Sequence, residues 1–218
     1  MYIKALFKVA GKYAPSRNIS FDIVHIFKTL QLIEDRGHVS RGLLSKELAL
    51  GGGVVKTLIK HLRMQDMIHT TKSGTKMTEK GKSIYSHLRS SIPAELSVPK
   101  CSVALGKFNY AVLLKQFNFA IKSGIEQRDA AIKMGAKGAT TLLYKGGRFV
   151  MPSTEGTVNP LHTEPKIRKL LINKLQPIED GDAIIIGSDD ISKRSAELAA
   201  KSAALLTIMN HEKHDIHF

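Results

Sequence analysis

At 218 residues, with 33 Lys and Arg against 19 Asp and Glu, the chain carries a formal charge of +14 and is long enough for two modest domains. So large a positive excess points to a polyanionic partner. The single cysteine, Cys101, excludes an internal disulfide and fits a reducing, cytoplasmic setting, and no run approaches the roughly 18 apolar residues that span a bilayer, so no membrane role is expected.

Basic residues interrupt every apolar stretch of the first 20 residues, which argues against a signal peptide. Ser20 is the expected N-cap of a first helix, Phe21–Glu34, with Ile23, Val24, Phe27, Leu30 and Ile33 on one face and Gly37 as its stop. Val39 reads as a short strand, and Ser40 caps a second helix, Arg41–Leu48. The glycine turn Leu50–Gly53 then leads into a third helix, about residues 53–65, whose core face is Val55, Leu58, Ile59 and Leu62. Its other face offers Lys56, Thr57, Lys60 and His61, side chains that suit phosphates and base edges better than a core. A strand, a tight turn at Lys72–Thr75 and a returning strand follow within about 68–78, and Thr78 caps a further helix, Glu79–Ser90.

Helix, turn, helix and basic hairpin in that order are the footprint of a winged helix-turn-helix that binds double-stranded DNA. The segments Leu44–Leu48, Gly52–Leu62 and Met77–Gly81 resemble the winged-helix domains of prokaryotic transcription regulators. Expected DNA contacts are Ser40, Arg41, Lys46, Gly53, Lys56, Thr57, Lys60 and His61, with Lys72 and Lys76 gripping phosphate from the wing. Charge agrees with that placement: residues 1–97 hold 16 Lys and Arg against 7 Asp and Glu, and residues 98–218 hold 17 against 12. The same module can also serve protein interaction without DNA, since fold does not prove function.

The prolines of Ile92–Pro99 break the helical period and mark the best domain boundary. Strands are predicted at Ser102–Leu105 and Ala111–Gln116, a helix from Gly124 to about Met134, and a hairpin of Ala139–Tyr144 with Arg148–Met151. A loop over Ser153–Thr163, a helix from Glu164 to about Leu175, an acidic turn at Pro177–Asp182, a buried strand at Ala183–Gly187 and a long helix at Ser192–Met209 complete the chain. The expected fold class is α+β: a winged helix-turn-helix over 1–92, a linker at 93–99 and a mixed α/β domain over 100–218.

Three places in the second half could hold a small-molecule effector: Lys122–Asp129 at a helix start, the small residues Gly138–Thr141, and the loop Ile186–Ser192 after a strand. Lys122, Arg128, Thr140, Thr141 and Ser188 are the candidate ligand-binding side chains. The triple glycine before Lys56 is no phosphate-binding loop, because Val55 precedes the lysine and a helix precedes the turn. His211, His214 and His217 recur every three residues without forming a zinc-protease motif. No catalytic constellation, metal site or cofactor is expected.

The segments Ser123–Lys133, Gly138–Leu142 and Asp182–Ser188 resemble a group of archaeal winged-helix proteins with an uncharacterised C-terminal domain, a likeness that covers nearly the whole chain. It implies a transcription regulator, expected as a homodimer. The alternative is an enzyme acting on a nucleotide or small metabolite. Glu155–Asn159 resembles a Gly-Thr-Leu-Asn element of archaeal CTP-dependent riboflavin kinases, which also carry a winged helix, although the alternating helices here argue against the barrel of that family.

Overall fold

The computed structural model describes residues 2–11, 20–152 and 160–214. It is a mixed α+β structure in two compact units, Met1–Arg89 and Ser90–Phe218. The Glu155–Asn159 element and His217 fall outside the described residues, as does the loop from Ser153 as far as residue 159.

Unit one begins with a helix that no sequence expectation covered, α1 (Ile3–Ala10), whose Ile3, Leu6 and Val9 are fully buried. Helix α2 (Ile23–Arg36) is capped by Asp22 rather than by the expected Ser20. The reason is reach. Asp22 directly precedes the first helical residue, so its carboxylate accepts the Ile23 N–H at 2.6 Å while its own N–H donates to His25 Nδ1 at 3.0 Å. Gly37, at φ +72°, ends the helix as expected.

Ser40 caps α3 (Arg41–Leu48), its Oγ accepting the Leu43 N–H at 3.1 Å. Ala49 then takes a left-handed turn into α4 (Gly52–Met64). Strands β1 (Ile68–Thr71) and β2 (Gly74–Met77) form a hairpin with a two-residue turn, Lys72-Ser73. Val39 pairs with Thr75 on the free edge of β2, tying the α2–α3 connection to the hairpin. Thr78 caps α5 (Glu79–Ser91) by accepting the Gly81 N–H. Phe27, Leu30, Leu44, Leu48, Leu58 and Leu62 are the fully buried centre of this unit.

In unit two, β3 (Glu95–Val98) occupies the segment expected to be a linker, because its backbone completes a ladder with β4 (Phe108–Leu114) despite the flanking prolines. Ser102–Leu105 is not a strand. It is a turn closed by one bridge between Cys101 and Ala104 and by paired hydrogen bonds between Gly106 and the Asn109 amide. A 3-10 turn (Asn118–Ala120), α6 (Ile125–Lys133), β5 (Gly138–Lys145), β6 (Arg148–Val150), α7 (Pro165–Lys174), β7 (Ala183–Asp189) and α8 (Lys193–His214) follow.

The sheet order is β3-β4-β7-β5-β6 and every pair is antiparallel. Helices α6 and α8 cover one face. On the other, Ile167, Leu171 and Leu175 of the α7 segment join Ala111, Leu113, Leu142, Ile184 and Ile186 in one core cluster. Coverage on both faces explains why β7 is buried along its whole length, where an antiparallel strand with one wet face would alternate. The acidic turn before it is structural: Asp182, fully buried, accepts from Lys115 Nζ at 2.8 Å and from the Gln116 and Glu179 N–H groups.

Candidate nucleic-acid interface

Helix α4 sorts its residues by angle. At about 100° per residue, Lys56, Lys60 and Arg63 fall within one narrow stripe, and Val55, Leu58 and Leu62 fall on the far side. The apolar side is fully buried and the three cations are exposed. Together with Arg41 from the start of α3 and Thr70 from β1, they line a groove of about 640 Å³ between helix and hairpin. Among the described residues, Arg41, Lys56, Lys60 and Arg63 have no carboxylate within ion-pairing distance. Four such charges facing one concavity sum to a positive field that suits a phosphate backbone.

Of the residues expected at DNA, Gly53, Lys56, Thr57 and Lys60 are exposed on α4, and Thr57 also turns its hydroxyl back to the Gly53 carbonyl at 3.1 Å. Ser40 and Arg41 sit at the α3 start, Lys46 is exposed on α3, Lys72 is in the hairpin turn, and Lys76 stands opposite His69 on β2. His61 departs from the expectation. It is only 7% exposed, hydrogen-bonded through Nδ1 to the Val9 carbonyl at 2.9 Å and edge-on to Phe21. At about 140° from Lys56 it lies on the flank that α1 covers, so an unforeseen helix turns an expected contact into core. Arg63, exposed, lines the groove beside Lys56 and Lys60. The i, i+4, i+7 spacing of Lys56, Lys60 and Arg63 is the sequence signal that identifies it.

The five residues expected at an effector site are not brought together. Thr140, Thr141 and Ser188 are buried in the central strands between two helical layers, and the Ser188 Oγ accepts the Leu105 N–H at 3.1 Å. Arg128 is spent on its neighbour Asp129. In the loop after β7, Asp189 accepts the N–H groups of Ile191 and Ser192, and Asp190 pairs with Lys137 at 2.9 Å, a hydrogen bond that holds its carboxyl below the usual range. Of the five, Lys122 borders a depression of about 290 Å³ beside the 3-10 turn, the first turn of α6 and the end of α8. Burial pushes the Cys101 thiol up, away from the thiolate that nucleophilic chemistry needs. Among the described residues no group of three His, Cys, Asp or Glu side chains could hold a metal, and no helix is long and apolar enough to cross a membrane.

Residues 23–92 match the family described as the CggR N-terminal DNA binding domain, and residues 105–208 match a domain of unknown function, DUF4443. The chain is also similar to the solved structure of hypothetical protein PH0730 from Pyrococcus horikoshii OT3. That similarity has 28% identity and a TM-score of 0.66, and covers 89% of this chain and 95% of that one. No curated protein matches the chain.

Proposed function

We propose that the chain is a DNA-binding transcription regulator of the archaeal winged helix-turn-helix type, cytoplasmic, homodimeric and not an enzyme. In this reading α4 is the recognition helix and the β1–β2 hairpin the wing. Lys56, Thr57, Lys60 and Arg63 enter the major groove, with the Gly53 backbone close to the duplex. Ser40, Arg41 and Lys46 position α3 on one strand, while Lys72 and Lys76 hold phosphate from the wing. The unit from Ser90 onward supplies the dimer contact or an effector site, and an effector shifts DNA affinity only as far as it prefers one state over the other.

The exposed cationic stripe on α4, opposite its buried apolar face, is the observation that carries this reading. The similarity of residues 23–92 to a DNA-binding domain supports it independently. Fluorescence anisotropy on duplex fragments that the protein itself recovers from genomic DNA, repeated across a salt series, tests it. Lys60→Ala should weaken binding and lower the salt slope by about one unit, as expected for one lost phosphate contact. An unchanged slope and affinity would remove α4 from the interface.

A further inference from the structure

The depression beside α6 has a composition that DNA binding does not use. One wall is aromatic: Phe119 and His211 line it, edge-on at 4.7 Å, and Phe117 backs them, nearly parallel to Phe119 at 6.1 Å and edge-on to His211 at 5.5 Å. Phe119 is 63% exposed, a large apolar face left in water. The rim carries both signs of charge. Lys122 has no hydrogen bond or ion pair among the described residues, and Glu126 is held by Asn210, whose Nδ2 donates to Oε2 at 3.3 Å. Although these opposite charges line the same 290 Å³ cavity, they do not pair with each other. Something that bears both charges and an apolar arm would satisfy all three features at once.

We propose that this cavity binds a free α-amino acid with an apolar or aromatic side chain, an inference that rests on reading the C-terminal unit as a sensor. The carboxylate of the ligand meets Lys122, three residues ahead of α6, where the Gly124 cap offers no side chain, Ser123 Oγ takes the Ile125 N–H only at 3.5 Å, and the first-turn backbone favours an anion. Its ammonium group meets Glu126, and its side chain lies on Phe119 and His211 above Ala120. A polyphosphate is disfavoured by Glu126 and a simple cation by Lys122. The volume, at the low end for ligand pockets, matches one amino acid better than a nucleotide.

Calorimetric titration of the full chain with L-phenylalanine and L-leucine tests the proposal, with 3-phenylpropionate lacking the ammonium group and phenethylamine lacking the carboxylate. Binding should be saturable, and Lys122→Gln, Glu126→Gln, Phe119→Ala and each truncated ligand should weaken it about tenfold or more. The altered positions are on the surface, so the melting temperature should stay near that of the parent. Absence of binding by either amino acid, or equal binding by the truncated ligands or the three variants, overturns the site. Anisotropy on the recovered DNA separates the two readings: binding of L-phenylalanine that leaves DNA affinity unchanged keeps the site and removes the sensor role. DNA binding with no amino-acid binding removes the site alone.

Discussion

Two buried histidines of unit one, His25 and His61, differ in what they hold. His61 anchors α1 to α4 through its ring, so His61→Ala should cost about 2–4 kcal/mol of stability from the lost packing and hydrogen bond. Arg63→Ala should leave the urea midpoint unchanged and lower the salt slope of DNA binding by about one unit. Equal destabilisation by both variants would contradict the division of α4 into a core flank and a groove stripe. His25 is a pH-sensitive cap. Burial lowers its pKa below 6.5, outweighing the opposing influence of the Asp22 carboxylate, and the Asp22 backbone N–H donates to its Nδ1. The unfolded chain therefore takes up the proton first as pH falls. The stabilising contribution is complete above pH 6.5, is lost as pH falls below that value toward the folded pKa, and levels off beneath it. His25→Gln, which keeps a capping-box residue at that position, should flatten the urea midpoint across this window.

At the scale of elements, β7 and α8 in unit two approach backbone to backbone at Gly187. A Cβ at Gly187 would run into the Ala196 carbonyl and come within 2.6 Å of the Ala200 nitrogen, so the helix backbone lies directly on the strand. Gly187→Ala should destabilise by about 3 kcal/mol or more, read as a lowered thermal midpoint, because backbone on both sides must move. Ala196, Ala199, Ala200, Ala203 and Ala204, all fully buried, continue one small-residue face along the helix. Lys201 sits among them, fully buried, held by Glu197 at 2.6 Å and Glu95 at 3.1 Å and placed over the Tyr110 ring. Such details were unequally legible in the sequence. Helices α2 to α5 and the hairpin follow from apolar period, caps and glycines that act locally, and so were foreseen within a few residues. Strand β3 was hidden because four residues between prolines carry little pattern of their own, and its partner β4 lies ten residues on. The fully buried β7 reads like a strand of a parallel sheet, since nothing in an apolar run reveals which direction its neighbours take. At the groove, the spacing of Lys56, Lys60 and Arg63 was present in the chain, whereas the fate of His61 depended on where α1 packs, a tertiary fact.

For the whole molecule, Glu95 makes the start of unit two a matter of energetics as well as of compactness. A fragment covering 90–218 should melt cooperatively, whereas one covering 100–218 loses both the β3 ladder and a carboxylate partner of Lys201. Leaving a buried ammonium short of a partner costs about 3–5 kcal/mol, so the shorter fragment should melt on the order of 10 °C lower, or fail to fold, by circular dichroism. The position of β7 at the centre of the sheet bears on how the protein is made. Unit one is assembled from neighbours in sequence and can close as soon as residue 89 has left the ribosome. Unit two cannot. Strands β4 and β5 both pair with β7 rather than with each other, so each emerges apolar and incomplete and waits for residues 183–189. During that interval the nascent chain is a folded basic head trailing two hairpins, β3–β4 and β5–β6, each with one open edge, and the strand synthesised last is the one that joins them.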